Sequence, residues 1–101
     1  MPFKRTLSLK DMDSAKIMKV ELDGNDIMII RLGDNYHALD ATCTHEDADL
    51  SRGILMGNAV VCPLHLSRFN LETGAVESPP ATEPLKKYNV KIEDGYIYVE
   101  V

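Results

Sequence analysis

Turn signals recur so often along this chain that no long helix fits between them. Asp23-Gly24-Asn25, Gly33-Asp34-Asn35, Gly57-Asn58, Glu72-Thr73-Gly74 and Asp94-Gly95 all place glycine beside a turn-favouring residue. The segments between them have strand character. Residues 16–23 alternate, with Met18, Val20 and Leu22 on one face and Lys19, Glu21 and Asp23 on the other. Residues 27–32 are almost continuously apolar, and residues 36–39 follow after a turn. Short strands are expected at 54–56, 59–61, 68–71 and 75–76, and longer ones at 87–93 and 96–101. In the last, Ile97, Val99 and Val101 face one way and Tyr96, Tyr98 and Glu100 the other. The one helical expectation is a single turn within residues 8–14. The pattern predicts an all-β chain of small antiparallel sheets.

A chain of 101 residues is expected to form one domain, residues 1–101, and its 45% hydrophobic content is enough for a small core. A net charge of -5 argues against a general nucleic-acid binder and, more weakly, against binding to anionic membranes. It fits either docking on basic partners or simple solubility. No apolar run approaches the roughly 20 residues that cross a bilayer. Lys4 and Arg5 are not followed by the apolar stretch of a signal peptide. The chain therefore reads as cytoplasmic, where metal ligation is a better default for Cys43 and Cys62 than a disulfide.

Two loops break the strand rhythm. Residues 41–52 carry Cys43 and His45, and residues 62–67 carry Cys62 and His65. A third irregular piece, SPPATEP at 78–84, contains Pro79, Pro80 and Pro84 and predicts a stiff loop able to lie against the other two.

The paired residues admit several kinds of site. A structural zinc takes two cysteines and two histidines, but it usually spaces paired ligands by two to four residues. Cys43-Thr44-His45 leaves only one between. A cysteine nucleophile with a histidine base needs one such pair and gives no reason for a second. Buried cysteine often serves only as a small hydrophobe, although both histidines here sit beside cysteines in irregular loops. A [2Fe–2S] centre of the kind in which two histidines replace two cysteines on one iron explains more. If each loop gives its cysteine to one iron and its histidine to the other, mixed pairs are what the centre requires.

The pattern Cys-x-His, sixteen residues, Cys-x-x-His resembles the cluster-binding motif of Rieske proteins. CTHEDADLSRG is similar to the first cluster loop of soluble Rieske-type ferredoxins. CPLHLSRFNLETGAVESPPATEPLKKYNVKIEDGYIYVEV is similar to their second loop, proline loop and last hairpin. The likeness is strong over residues 36–101 and looser before. It implies a Rieske-type fold with a two-loop cluster-binding part at about 41–82. It also implies a Rieske [2Fe–2S] cofactor, with Cys43 and Cys62 on the inner iron and His45 and His65 on the outer iron near the surface. Residues 78–81, with Pro79 and Pro80, would cover the centre from the side. The implied function is a soluble, monomeric one-electron carrier between a reductase and an oxygenase or oxidase, not an enzyme. The alternatives are a small Rieske subunit of a nitrite reductase or ring-hydroxylating dioxygenase, and a structural zinc domain.

Departures from the family pattern carry information. Leu66 stands where the family usually has glycine, and leucine is strained there if the position needs a positive φ. The extra disulfide-forming cysteines of the respiratory Rieske proteins are absent. Of the two hydroxyl positions that bond sulfur in those proteins, this chain keeps Ser67 but has Phe69 at the other. Fewer donors to sulfur lower the potential, so the lower half of the roughly -150 to +300 mV Rieske range is expected, with Ser67 raising it within that half. Histidine ligation further implies a potential that falls as pH rises through the ligand pKa values.

The remaining candidates read more plainly. His37 is expected to be an ordinary strand residue, and Tyr88, Tyr96 and Tyr98 to pack on strands. The five methionines read as filler. Glu46, Asp47 and Asp49 are expected in the first loop, where they lower the potential, guide a partner or simply meet solvent.

Overall fold

The computed structural model describes residues 2–44, 48–64 and 66–101. Among the described residues, eleven strands form three antiparallel sheets. The strands are β1 (Phe3–Ser8), β2 (Ile17–Leu22), β3 (Asn25–Leu32), β4 (Asn35–Asp40), β5 (Ile54–Met56), β6 (Ala59–Val61), β7 (Arg68–Asn70), β8 (Val76–Ser78), β9 (Lys87–Tyr88), β10 (Val90–Glu93) and β11 (Tyr96–Glu100). The sheet orders are β1-β11-β10, β2-β3-β4-β9 and β5-β6-β7-β8. This is the expected all-β fold of small antiparallel sheets. Among the described residues no helix is long and apolar enough to cross a membrane.

The four-stranded sheet built on β3 is the middle layer. Alternation along β3 sends Ile27 and Ile29 to one core and Met28 and Ile30 to the other. A strand buried on both faces needs apolar residues at every position, which explains the continuous run read from the sequence. On the side of β10 and β11, Ile97 and Val99 pack with Met12, Ala38 and Tyr88. On the other side, Val60, Phe69, Leu50 and Leu71 pack with Leu39 and with both cysteines. Phe69 is fully buried there, and truncating it to alanine is expected to cost about 3–5 kcal/mol.

Two elements differ from the sequence expectation. β1 was not expected, because Phe3–Ser8 is mostly polar; it forms by pairing with β11, Phe3 opposite Glu100 and Arg5 opposite Tyr98. The single strand expected at 87–93 is two. Lys87 pairs with Leu39 in the middle sheet, and after Asn89 the chain passes to the outer sheet, where Val90 pairs with Val99. The expected helical turn is a 3-10 turn, Leu9–Met12, closed by a capping box between Ser8 and Asp11.

Candidate metal centre

Both cysteines leave the ends of strands that belong to the larger core. The first loop departs from β4. Ala41 N–H donates to the Asp26 carbonyl at 2.9 Å, and Leu50 N–H returns to the Ala41 carbonyl at 2.7 Å. Within that closure Cys43 N–H donates to the Ala48 carbonyl at 3.0 Å. The loop ends in a 3-10 turn, Leu50–Arg52, capped by Asp49, whose carboxylate accepts from Ser51 N–H at 3.0 Å. Hydrogen bonding to Ser51 is the main cause that holds the Asp49 carboxyl below its ordinary range, with Lys19 adding to it. Gly53 then passes so close to β6 that a Cβ there would lie 2.3 Å from the Val61 carbonyl oxygen. Only glycine lets the end of the first loop lie against the residue that precedes Cys62.

The second loop is a tight reversal. Leu66 N–H donates to the Cys62 carbonyl at 3.1 Å, and Cys62 N–H donates to the Ser67 carbonyl at 2.8 Å. The reversal requires φ 63° at Leu66. The leucine is therefore held in the left-handed region that glycine normally occupies, as its replacement of the family's glycine implied. Leu66 is 66% exposed and Leu64 is 56% exposed, so neither contributes much burial to the fold.

Cys43 and Cys62 are 3% and 2% exposed and share one apolar cluster with Phe69, Leu50 and Ala81. Two thiols at the inner end of two adjacent loops, with exposed residues on the same loops, fit a buried pair of thiolate ligands for a soft metal centre. His45 and His65, together with Glu46 and Asp47, lie outside the described residues. Among the described residues no three His, Cys, Asp or Glu side chains gather to hold a metal.

The other expected residues take distinct places. Ser67 is fully buried, and its Oγ accepts from Ala81 N–H at 3.0 Å. Phe69 sits in the cluster with the cysteines. Pro79 and Pro80 are exposed and joined by a cis peptide bond. His37 is on β4, in line with the sequence reading, and borders an open groove of about 530 Å³ with Tyr36, Glu72 and Lys87. Burial, and then Lys87, lowers its pKa from 6.5. Thr44 was not singled out in the sequence, although it lies between two candidate ligands. Its Oγ1 donates to the Glu83 carbonyl at 2.6 Å, joining the first loop to the proline-bearing segment.

The chain matches the family model described as Rieske [2Fe-2S] domain over residues 4–89. It is 36% identical over 96 residues to ferredoxin CarAc of Metapseudomonas resinovorans, covering 94% of this chain and 90% of that protein. The ferredoxin of carbazole 1,9a-dioxygenase from Nocardioides aromaticivorans IC177 superposes with TM-score 0.91 at 29% identity, covering 98% of this chain and 97% of that one. The matching chain in a complex of reduced oxygenase and oxidized ferredoxin in carbazole 1,9a-dioxygenase has TM-score 0.88 at 36% identity, covering 96% of this chain and 91% of its own length.

Proposed function

This chain belongs to the Rieske [2Fe-2S] domain family, and on that premise we propose that it is a one-electron carrier that takes an electron from a reductase and delivers it to an oxygenase. Its cofactor is a Rieske-type [2Fe–2S] cluster, which supplies reversible one-electron chemistry. The protein carries electrons and is not itself the catalyst, as its relatives are ferredoxin components. Cys43 and Cys62 would hold the inner iron, and His45 and His65 the outer. Residues 1–101 act as one domain, with residues 41–82 as its cluster-binding part, and the carrier works in the cytoplasm.

The single observation that carries this reading is the split between buried thiols and exposed loop tips. Cys43 and Cys62 are buried, while Thr44, Leu64 and Leu66 on the same two loops are exposed. A centre held between them has its thiolates in a dry pocket and its outer side where a redox protein can dock. Among solved structures, the complex of reduced oxygenase and oxidized ferredoxin supports an oxygenase as the acceptor. The test is voltammetry of the iron-loaded protein followed by rapid mixing of its reduced form with an oxygenase of the carbazole type. One reversible one-electron couple and reoxidation by the oxygenase are expected. A protein with no couple, or one that is reoxidised only by oxygen, would count against the carrier.

A further inference from the structure

Two hydroxyls, one beside each cysteine-bearing reversal, reach the same stretch of backbone. Thr44 Oγ1 donates to the Glu83 carbonyl at 2.6 Å, and Ser67 Oγ accepts from Ala81 N–H at 3.0 Å. Pro79 and Pro80 carry no N–H. Ala81 is therefore the first backbone donor after Ser78 by which the second loop can grip this stretch. Ser67 is fully buried and Ala81 is 3% exposed, so water does not compete for that bond. The ends of the stretch are fixed elsewhere: Ser78 pairs with Arg68, and Leu85 N–H donates to the Gly74 carbonyl at 2.8 Å. Residues 79–84 span the gap between these anchors, and these two side-chain bonds tie residues 79–83 of it to the cysteine-bearing loops.

We propose that Thr44 and Ser67 are paired positioning residues that clamp residues 79–83 across both cysteine-bearing loops and so keep water from the centre between them. The proposal rests on the ligand assignment above and adds to it the residues that close the site. Each hydroxyl acts through the clamped segment. The expected consequence has a definite sign. Reduction adds negative charge, and water admitted by an open clamp stabilises that charge, so the potential rises. If Ser67 instead acted by donating to a ligand sulfur, its removal would lower the potential.

The test compares Thr44→Val, Thr44→Ser and Ser67→Ala in the iron-loaded full chain. Three quantities are read: hydrogen–deuterium exchange of the peptide covering 78–85, iron release to a ferrous chelator, and midpoint potential. Loss of one hydrogen bond is expected to speed exchange and iron release about fivefold in Thr44→Val and Ser67→Ala. Both potentials shift upward, and Thr44→Ser behaves as the parent. Thr44 is exposed, so its variants remain informative if Ser67→Ala does not fold. Unchanged exchange in both variants would overturn the clamp, as would a lowered potential in Ser67→Ala beside an unchanged one in Thr44→Val. Exchange is also read on iron-free protein, so a parent chain that binds no iron refutes the ligand assignment while the clamp is still tested.

Discussion

The phenol of Tyr88 donates to Asp40 Oδ1 at 2.6 Å, tying β9 to the residue from which the first cysteine-bearing loop departs. Asp40 N–H reaches back to the Lys86 carbonyl at 3.0 Å, so the two strands are locked by main chain and side chain at one point. Burial, and then the Asp40 carboxylate, raises the Tyr88 pKa above its ordinary 10.0. Tyr88→Phe is expected to destabilise the fold by about 1–2 kcal/mol, the range for a hydrogen bond to a charged acceptor. The sign with pH follows from the raised pKa. The bond's contribution is complete below pH 10 and is lost as pH rises above it, because the unfolded chain releases the proton first. Urea denaturation at pH 8 and at pH 10.5 should therefore show the gap between parent and Tyr88→Phe narrowing at the higher pH.

His37 predicts the opposite slope. Burial lowers its pKa from 6.5, with Lys87 adding to the effect and Glu72 opposing it. Below pH 6.5 the unfolded chain takes up the proton more readily than the folded one, so stability falls as the medium is acidified. His37→Gln should be more resistant than the parent at pH 5 and indistinguishable from it at pH 8. Equal pH dependence in thermal melts of the two proteins would rule out this account.

Asp49 caps the turn that ends the first loop and also meets Lys19 Nζ at 3.1 Å on β2. Asp49→Ala is expected to cost about 1 kcal/mol, the usual cost of removing an N-cap. The Asp49 pKa is lowered from 3.8, so this contribution is full above that pH and disappears as pH falls through the lower folded value. Asp49→Asn retains the cap and should recover most of the loss in a denaturant midpoint at pH 7.

Leu66 holds φ 63° with its side chain largely in solvent. A left-handed non-glycine residue costs about 1–2 kcal/mol, and the greater freedom of unfolded glycine takes back about 0.5–1 kcal/mol. Leu66→Gly should therefore stabilise the iron-loaded protein by about 0.5 kcal/mol, seen as a small rise in Tm. A clear loss of stability would show that the leucine side chain packs in a way its exposure does not suggest.

The midpoint potential is expected in the lower half of the roughly -150 to +300 mV Rieske range. Phe69 has no hydroxyl to offer, which leaves Ser67, whose Oγ accepts from Ala81 N–H, as the one hydroxyl of the pair with a proton to donate. A redox titration giving a value near the top of the range would contradict this.

Most of the fold was legible where alternation and turn chemistry agreed. β2, β3, β4 and β11 follow from Met18-Val20-Leu22, the apolar run beginning at Ile27, and the alternating Ile97 and Val99. β1 was not legible, since FKRTLS has little apolar character and is held by pairing to a strand some ninety residues away. The change of sheet at Asn89 was hidden for the same reason: local pattern does not say which neighbour a strand will join. At the site, residue type and spacing marked Cys43 and Cys62; both are buried, and their role as ligands stays a proposal. His45 and His65 lie outside the described residues and stay a proposal. The clamp residues show the limit most clearly. Thr44 and Glu83 are separated by 39 positions, and nothing in their local sequence signals that their atoms meet.

The most direct test is an EPR spectrum of the purified chain after dithionite reduction, with iron, sulfide and zinc assayed on the same sample. The account predicts a rhombic or axial signal of low average g, with two irons and two sulfides per chain. A colourless, EPR-silent protein holding one zinc would contradict it and point to a structural zinc domain.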